Sequence, residues 1–74
     1  MHMMDTKETA STLGRQVRRY RLRQAWTQDE LATRAGISRS TLLKIEAGDH
    51  QPHPPTIRKL ARALAVDPVQ LTTE

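Results

Sequence analysis

Hydrophobic positions recur at helical spacing near the start of the chain. They predict an amphipathic helix that begins near Ser11 or Thr12 and continues to about residue 24. Its expected buried face consists of positions i, i+4, i+7 and i+11, which are Leu13, Val17, Tyr20 and Gln24. The same helix carries five arginines, which are Arg15, Arg18, Arg19, Arg21 and Arg23. We interpret Arg19 and Arg23 as solvated, whereas Arg15 and Arg18 are either solvated or in contact with phosphate.

A second apolar stripe near the end of the chain predicts a helix over about residues 55–65, with Pro54 as an alternative first residue after His53. The stripe that would close the core consists of Ile57, Leu60, Ala61 and Leu64. Asp67 and Pro68 then predict the cap and first residue of a short helix that ends near residue 71. The apolar residues at this end of the chain, Val66, Val69 and Leu71, are expected either to pack on the core or to form a dimer surface.

Capping residues predict two shorter helices between these stretches. Thr27 and Glu30 have the spacing of a capping box, so a helix is expected over residues 28–35. Gly36 is suited to the left-handed conformation that ends a helix, and Ser38 can cap the next helix, over residues 39–47. Two helices joined by so short a turn form a helix-turn-helix.

The second helix of this motif has two different faces when each residue is advanced by 100°. Thr41, Leu42 and Ile45 fall on the inner face. The outer face carries two cations, a hydroxyl and a leucine, which are Arg39, Ser40, Leu43 and Lys44. Such a face is typical of a recognition helix that enters the major groove of DNA.

The motif and its flanks show many residues at fixed offsets. The motif contributes Gln28, Leu31, Ala32, Ala35, Gly36, Ile37, Leu42 and the Ile-Glu-Ala-Gly ending at residues 45–48. The flanks contribute Leu13, Gly14, Val17, Arg21, Pro52, Thr56, Ile57, Leu60, Ala61, Ala63 and Leu64. Over about residues 13–71, this pattern resembles the phage-repressor and Cro type of helix-turn-helix protein, the XRE family. The resemblance implies an all-α fold, a compact five-helix repressor-like bundle whose helices 2 and 3 form the helix-turn-helix.

The resemblance also implies roles for individual residues. An ion pair between Arg21 and Glu46 would lock the first helix to the recognition helix. The implied phosphate contacts are Gln28, Thr27, Ser38 and Arg21, and the implied base-reading residues are Arg39, Ser40, Leu43 and Lys44. An arginine can donate two hydrogen bonds to guanine, and a leucine can pack on a thymine methyl. The alternative for each of these residues is a solvated position on the surface.

The loop over residues 49–53 departs from the family pattern, since relatives often carry Lys or Arg there. It contains Asp49, His50, Gln51 and His53 instead, so no phosphate contact is carried over to it. Two histidines separated by proline do not make a metal site without further ligands, and we predict no metal and no cofactor.

Composition bounds the function. The chain has 74 residues, enough for one small domain, and its net charge of +4 favours an acidic partner such as nucleic acid. It has no cysteine, no apolar run long enough to cross a bilayer and no signal-peptide core, so a cytoplasmic protein is expected. Residues 1–10 are predicted to be a disordered tail, and residues 11–74 the DNA-binding domain. No catalytic constellation is visible, so we predict no enzyme.

These observations predict a sequence-specific regulator that binds double-stranded DNA as a homodimer, reads an inverted-repeat operator and represses transcription. Two alternatives stay open. One is an antitoxin that binds a toxin and regulates its own operon. The other is the DNA-binding domain of a longer, ligand-sensing regulator.

Overall fold

The computed structural model describes residues 12–73, which form five α-helices and no strand. The helices are α1 (Thr12–Arg23), α2 (Gln28–Ala35), α3 (Arg39–Ala47), α4 (Pro54–Leu64) and α5 (Pro68–Thr72). The all-α prediction of five helices, with α2 and α3 as the helix-turn-helix, is confirmed. The proposed disordered tail and the alternative helix start at Ser11 lie outside the described residues. Within the described part of the chain, no helix is both long enough and apolar enough to cross a bilayer.

Local capping explains where the helix-turn-helix begins, turns and ends. The Thr27 hydroxyl accepts a hydrogen bond from the backbone N–H of Glu30, and the Glu30 carboxylate accepts one from the backbone N–H of Thr27. Gly36 ends α2 with a φ of 73°, a conformation that favours a residue without Cβ. Ser38 caps α3, and Gly48 ends it in the left-handed region. The predicted boundaries of both helices are therefore confirmed.

The prediction for α1 is correct at its apolar positions and wrong at Gln24. Leu13 and Val17 are buried and Tyr20 packs against the core, but the helix ends at Arg23 and Gln24 is exposed in the following turn. Ala25 then adopts a left-handed conformation with a φ of 60°, which turns the chain away from the helical path.

A polar residue, Gln16, takes part in the buried face of α1. Its amide donates hydrogen bonds to the carbonyl oxygens of Thr73 (2.7 Å) and Gln70 (3.4 Å). These carbonyls belong to the end of α5, where backbone acceptors lack helical partners. Gln16 thereby fastens the last helix to the first.

The last two helices are close to their predicted positions. His53 occupies the N-cap of α4 without a side-chain hydrogen bond, and Ala65 ends that helix in a left-handed conformation. Asp67 forms a capping box with Gln70 at the start of α5. Of the apolar residues predicted for this end, Leu71 is fully buried and Val66 packs against the core, whereas Val69 is 56% exposed.

The core is shared by all five helices, because α1 packs on α3 and α5 while α4 packs on α2. The buried apolar residues are Leu13, Val17, Leu31, Ala32, Ala35, Leu42, Ile45, Leu60, Ala61, Leu64 and Leu71. Gly14 sets the separation of α1 and α3, because a Cβ there would collide with the backbone carbonyl oxygen of Ile45. This close approach seats the recognition helix on α1.

Candidate nucleic-acid interface

The outer face of α3 is the centre of the candidate interface. Leu42 and Ile45 are buried beneath it. The four residues predicted to read bases are all exposed on its outer side, and they are Arg39, Ser40, Leu43 and Lys44. This arrangement offers three polar side chains and one apolar side chain on one exposed face. It suits the mixture of donors, acceptors and methyl groups along the major groove.

A buried ion pair fixes α3 against α1, as the family resemblance implies. Arg21 donates from Nε to Glu46 Oε2 at 2.7 Å and from Nη2 to Glu46 Oε1 at 2.9 Å. Its Nη1 donates to the carbonyl of Trp26 at 2.8 Å. The Arg21 and Glu46 side chains are only 9% and 5% exposed. The bidentate geometry and the third hydrogen bond offset the cost of burying the two charges.

Glu46 also holds Gln28, the first residue of α2. The Gln28 amide donates from Nε2 to Glu46 Oε1 at 3.2 Å, so one carboxylate contacts residues at the end of α1 and the start of α2. Gln28 is half-buried, and one of its two amide protons is free of this bond. Its side chain is therefore held in place at a helix N-terminus, where backbone N–H groups favour an anion.

A shallow groove runs beside this network between α1, α2 and α3. It is lined by Arg18, Arg21, Gln28, Leu43, Glu46 and Ala47. Arg18, whose role the sequence left open, is exposed on the α1 side of this groove. The fold therefore brings an exposed guanidinium to the same groove as Gln28 and the α3 residue Leu43. An arginine so placed suits a phosphate of a duplex lying on α3.

The two capping hydroxyls differ in what they can still donate. The Thr27 hydroxyl accepts from the backbone N–H of Glu30 at 3.1 Å, which leaves its own proton for an outside acceptor. Ser38 accepts from the backbone N–H of Thr41 and donates its proton to the Thr41 hydroxyl at 2.8 Å. The Thr27 hydroxyl could therefore donate to a phosphate as it stands. The Ser38 hydroxyl could do so only after its proton rotates away from Thr41.

Arg39, at the first position of α3, has a partner that the sequence pattern did not predict. Its Nε lies 3.3 Å from Oδ1 of Asp29 on α2, and both side chains are well exposed, at 60% and 71%. Opposite charges in the first turns of the two helices were visible in the sequence. Their proximity depends on the crossing of α2 and α3, which periodicity does not give.

The loop after α3 contains no lysine or arginine. Its polar residues, Asp49, His50, Gln51 and His53, are all exposed, while Pro52 is buried. Within residues 12–73 there is no group of three histidine, cysteine or acidic side chains placed to hold a metal ion.

Comparison with known proteins places the whole described region in one family. The family model described as a helix-turn-helix domain matches residues 12–73. A Bacillus subtilis protein, the uncharacterized HTH-type transcriptional regulator RghRB, is 44% identical over 57 residues, which are 76% of this chain and 41% of that protein. An uncharacterized HTH-type transcriptional regulator of Methanothermobacter thermautotrophicus is 33% identical over 54 residues, which are 73% of this chain and 78% of that protein.

Two solved structures share the architecture. The restriction-modification controller protein C.AhdI from Aeromonas hydrophila superposes with a TM-score of 0.80 at 31% identity, over 84% of this chain and 94% of that one. The hypothetical transcription factor NHTF from Neisseria superposes with a TM-score of 0.83 at 30% identity, over 86% of this chain and 74% of that one. The helix-turn-helix, its five-helix setting and these relatives agree, and the chain belongs to the XRE-type helix-turn-helix family of DNA-binding transcription regulators.

Proposed function

We propose that this chain binds an inverted-repeat operator in double-stranded DNA as a homodimer and represses transcription. The observation that carries the proposal is the exposed outer face of α3, seated firmly on α1 by Gly14 and the Arg21–Glu46 pair. A recognition helix needs such a rigid support, because base contacts depend on donor positions that are fixed relative to the duplex.

Base reading is assigned to the outer face of α3. Arg39 has donors for O6 and N7 of a guanine, a contact worth about 1–3 kcal/mol of discrimination against the wrong base. Lys44 can serve a guanine or a phosphate, and Ser40 can serve either a base or a phosphate. Leu43 is 39% exposed and offers an apolar surface to a thymine methyl.

Phosphate contact is assigned to Gln28, Thr27 and Ser38, and the groove adds Arg18 to this set. Arg21 was also predicted to reach a phosphate. Three of its five N–H donors already bind Glu46 and Trp26. Only two protons remain for a phosphate, and they belong to a buried side chain. We therefore place Arg18 ahead of Arg21 as the cation that meets the backbone.

A homodimer would bring two α3 helices to successive major grooves about 34 Å apart. The support within this chain is Val69, which is exposed on α5 although its neighbour Leu71 is fully buried. Repression is assigned because occupation of an operator is enough to block transcription, whereas activation needs a further surface for the polymerase.

A second candidate is favoured by the length of one relative. The chain spans 41% of the Bacillus subtilis regulator, so the same fold also occurs as part of a longer protein. In that case, this region would supply DNA recognition to a regulator whose other part senses a ligand. The toxin-binding alternative rests on the use of this fold by antitoxins and gains no contact of its own from the described residues.

The proposal is tested by selecting binding sites from a random duplex pool at about 150 mM salt, where long-range nonspecific attraction is largely screened. Enrichment of an inverted repeat with half-sites one turn apart is the expected result. Arg39→Ala is expected to relax the preference at one base pair per half-site, and Arg62→Ala, an exposed arginine of α4, is the matched control. Failure to enrich any motif would refute sequence-specific binding by this chain alone and favour the interaction-protein alternative.

A further inference from the structure

Asp29 is an acidic residue that lies beside the proposed base-reading face of α3. It belongs to the first turn of α2, yet its carboxylate lies 3.3 Å from Nε of Arg39, the first residue of α3. The neighbouring carboxylate of Glu30 is turned the other way, onto the backbone N–H of Thr27 at 2.7 Å. Of these two adjacent acids, one completes a helix cap and the other faces the outer surface of the recognition helix.

The Asp29–Arg39 pair contributes little to folding. Both side chains are more than half exposed, and ion pairs in that setting are weak because water screens them and two flexible side chains must be ordered. The pair does restrict Arg39, whose long side chain otherwise samples many rotamers. Its effect is thus on where the guanidinium points rather than on how stable the domain is.

The geometry of the contact suits a base-reading arginine. A guanidinium has five N–H donors, and Asp29 approaches the Nε side. The terminal nitrogens Nη1 and Nη2 stay available as a fork of two donors, which is the geometry that matches O6 and N7 of guanine. When a duplex covers the pair and excludes water, the attraction between the two charges becomes stronger.

We infer that Asp29 is a positioning residue for sequence recognition: it holds the Arg39 guanidinium so that its terminal nitrogens address one base pair of the operator. The inference rests on the proposed function, because it requires Arg39 to read a base. An acidic residue of α2 would thus influence base specificity indirectly, by orienting an arginine of α3.

A carboxylate at this place has a second effect of opposite sign. It repels the phosphates of any duplex, so it lowers affinity for all sequences while it sharpens the choice among them. Removal of the charge should therefore raise or preserve affinity and reduce discrimination. A purely structural role, such as favouring the N-terminus of α2 through the helix dipole, would change stability and would leave the base preference unaltered.

The test uses Asp29→Asn, which keeps the size of the side chain and removes its charge, with Asp49→Asn as the matched control. Asp49 is an exposed acid that follows Gly48 at the end of α3, and its replacement changes the net charge by the same amount. Binding to the selected operator and to duplexes altered at the Arg39-dependent base pair is measured at one salt concentration. Circular dichroism melting of each variant checks that the fold is retained.

Wild-type protein is expected to prefer the correct base by about 5- to 150-fold, the value of a good bidentate contact. In Asp29→Asn, the base preference should fall by a factor of at least about three, while binding to the operator should be no weaker than that of the wild type. In Asp49→Asn, binding to all duplexes should be slightly stronger and the base preference should be unchanged. In an Arg39→Ala background, Asp29→Asn should change the preference no further. Asp29→Glu, which keeps the charge on a longer side chain, should retain more of the preference than Asp29→Asn.

Retention of the full preference by Asp29→Asn, while Arg39→Ala loses it, would overturn the inference and leave the proposed function standing. If Arg39→Ala itself changes no base preference, the base-reading role proposed for Arg39 is wrong, and the inference is overturned with it because Asp29 would have nothing to position. Absence of any preference in the wild-type protein would instead refute the proposed function, and the inference would fall with it.

Discussion

Replacing Glu46 with alanine removes a carboxylate that accepts three hydrogen bonds, two from Arg21 and one from Gln28. The Arg21 guanidinium would remain buried with only the carbonyl of Trp26 as a partner. An unpaired buried charge of this kind costs about 3–5 kcal/mol. Since a core of this size seldom supplies more than about 3–5 kcal/mol, we expect the variant to be largely unfolded at 25 °C.

The assay is urea unfolding at equilibrium, followed by circular dichroism and by the fluorescence of Trp26, the single tryptophan of the chain. Trp26 reports on the region directly, because its ring lies under the Arg34 guanidinium at 4.3 Å and its carbonyl binds Arg21. Free energies come from linear extrapolation to water. Asp29→Ala, which breaks an exposed ion pair, is the control and should cost less than about 1 kcal/mol.

A double variant tests whether stability depends on the charges of the Arg21–Glu46 pair or only on the volume that the two side chains fill. In Arg21→Met with Glu46→Leu, both charges are replaced by apolar groups of similar size, an exchange that is often neutral or stabilising. We expect stability close to that of the wild type, together with weaker DNA binding because Gln28 loses its anchor. A loss below about 0.5 kcal/mol in Glu46→Ala, the size typical of an exposed pair, would refute the reasoning.

Four further outcomes are expected. Gly14→Ala should lower the unfolding free energy by about 1–3 kcal/mol, because its Cβ meets a backbone carbonyl of α3; an unchanged value would show that α1 can shift freely. Ala65→Gly should raise it by about 0.5–1 kcal/mol, because Ala65 has a φ of 59°, and a lower melting temperature would contradict this. Gln28→Ala should weaken binding to all sequences alike with an unchanged salt slope, whereas Arg18→Ala should also reduce that slope by about one; equal slopes for both variants would remove Arg18 from the phosphate contacts. Val69→Lys should prevent the proposed dimer from forming in sedimentation and abolish the preference for paired half-sites, and a variant that sediments as a dimer would place the interface elsewhere.

The helix boundaries could be predicted because the signals are local. Thr27, Ser38 and Asp67 each accept a hydrogen bond from a residue two or three positions ahead, so the cap and its helix are encoded together. Gln24 was misplaced because the turn after α1 uses Ala25 in a left-handed conformation, where a glycine would have marked the end of the helix.

The contacts between helices were predictable only in part. The Arg21–Glu46 pair was expected from the family resemblance, and its bidentate geometry confirms that expectation. The burial of Gln16 depends on carbonyl groups more than fifty residues away, and the Asp29 contact depends on how α2 crosses α3. Hydrophobic periodicity does not show how close Gln16 lies to the carbonyl groups at the end of α5, or Asp29 to Arg39. The roles of the outer residues toward DNA remain predictions.

The nine residues of α3 divide between two faces with different tasks. The inward set, Leu42, Ile45 and Glu46, is tied to α1 and the core, while the outward set packs against nothing in the core. The outward residues can therefore be substituted without redesigning the core, which makes the domain a scaffold for proteins that bind altered operators. The exception is position 39, because the Arg39 side chain contacts Asp29 on α2. A substitution at position 39 therefore calls for a matching residue at position 29.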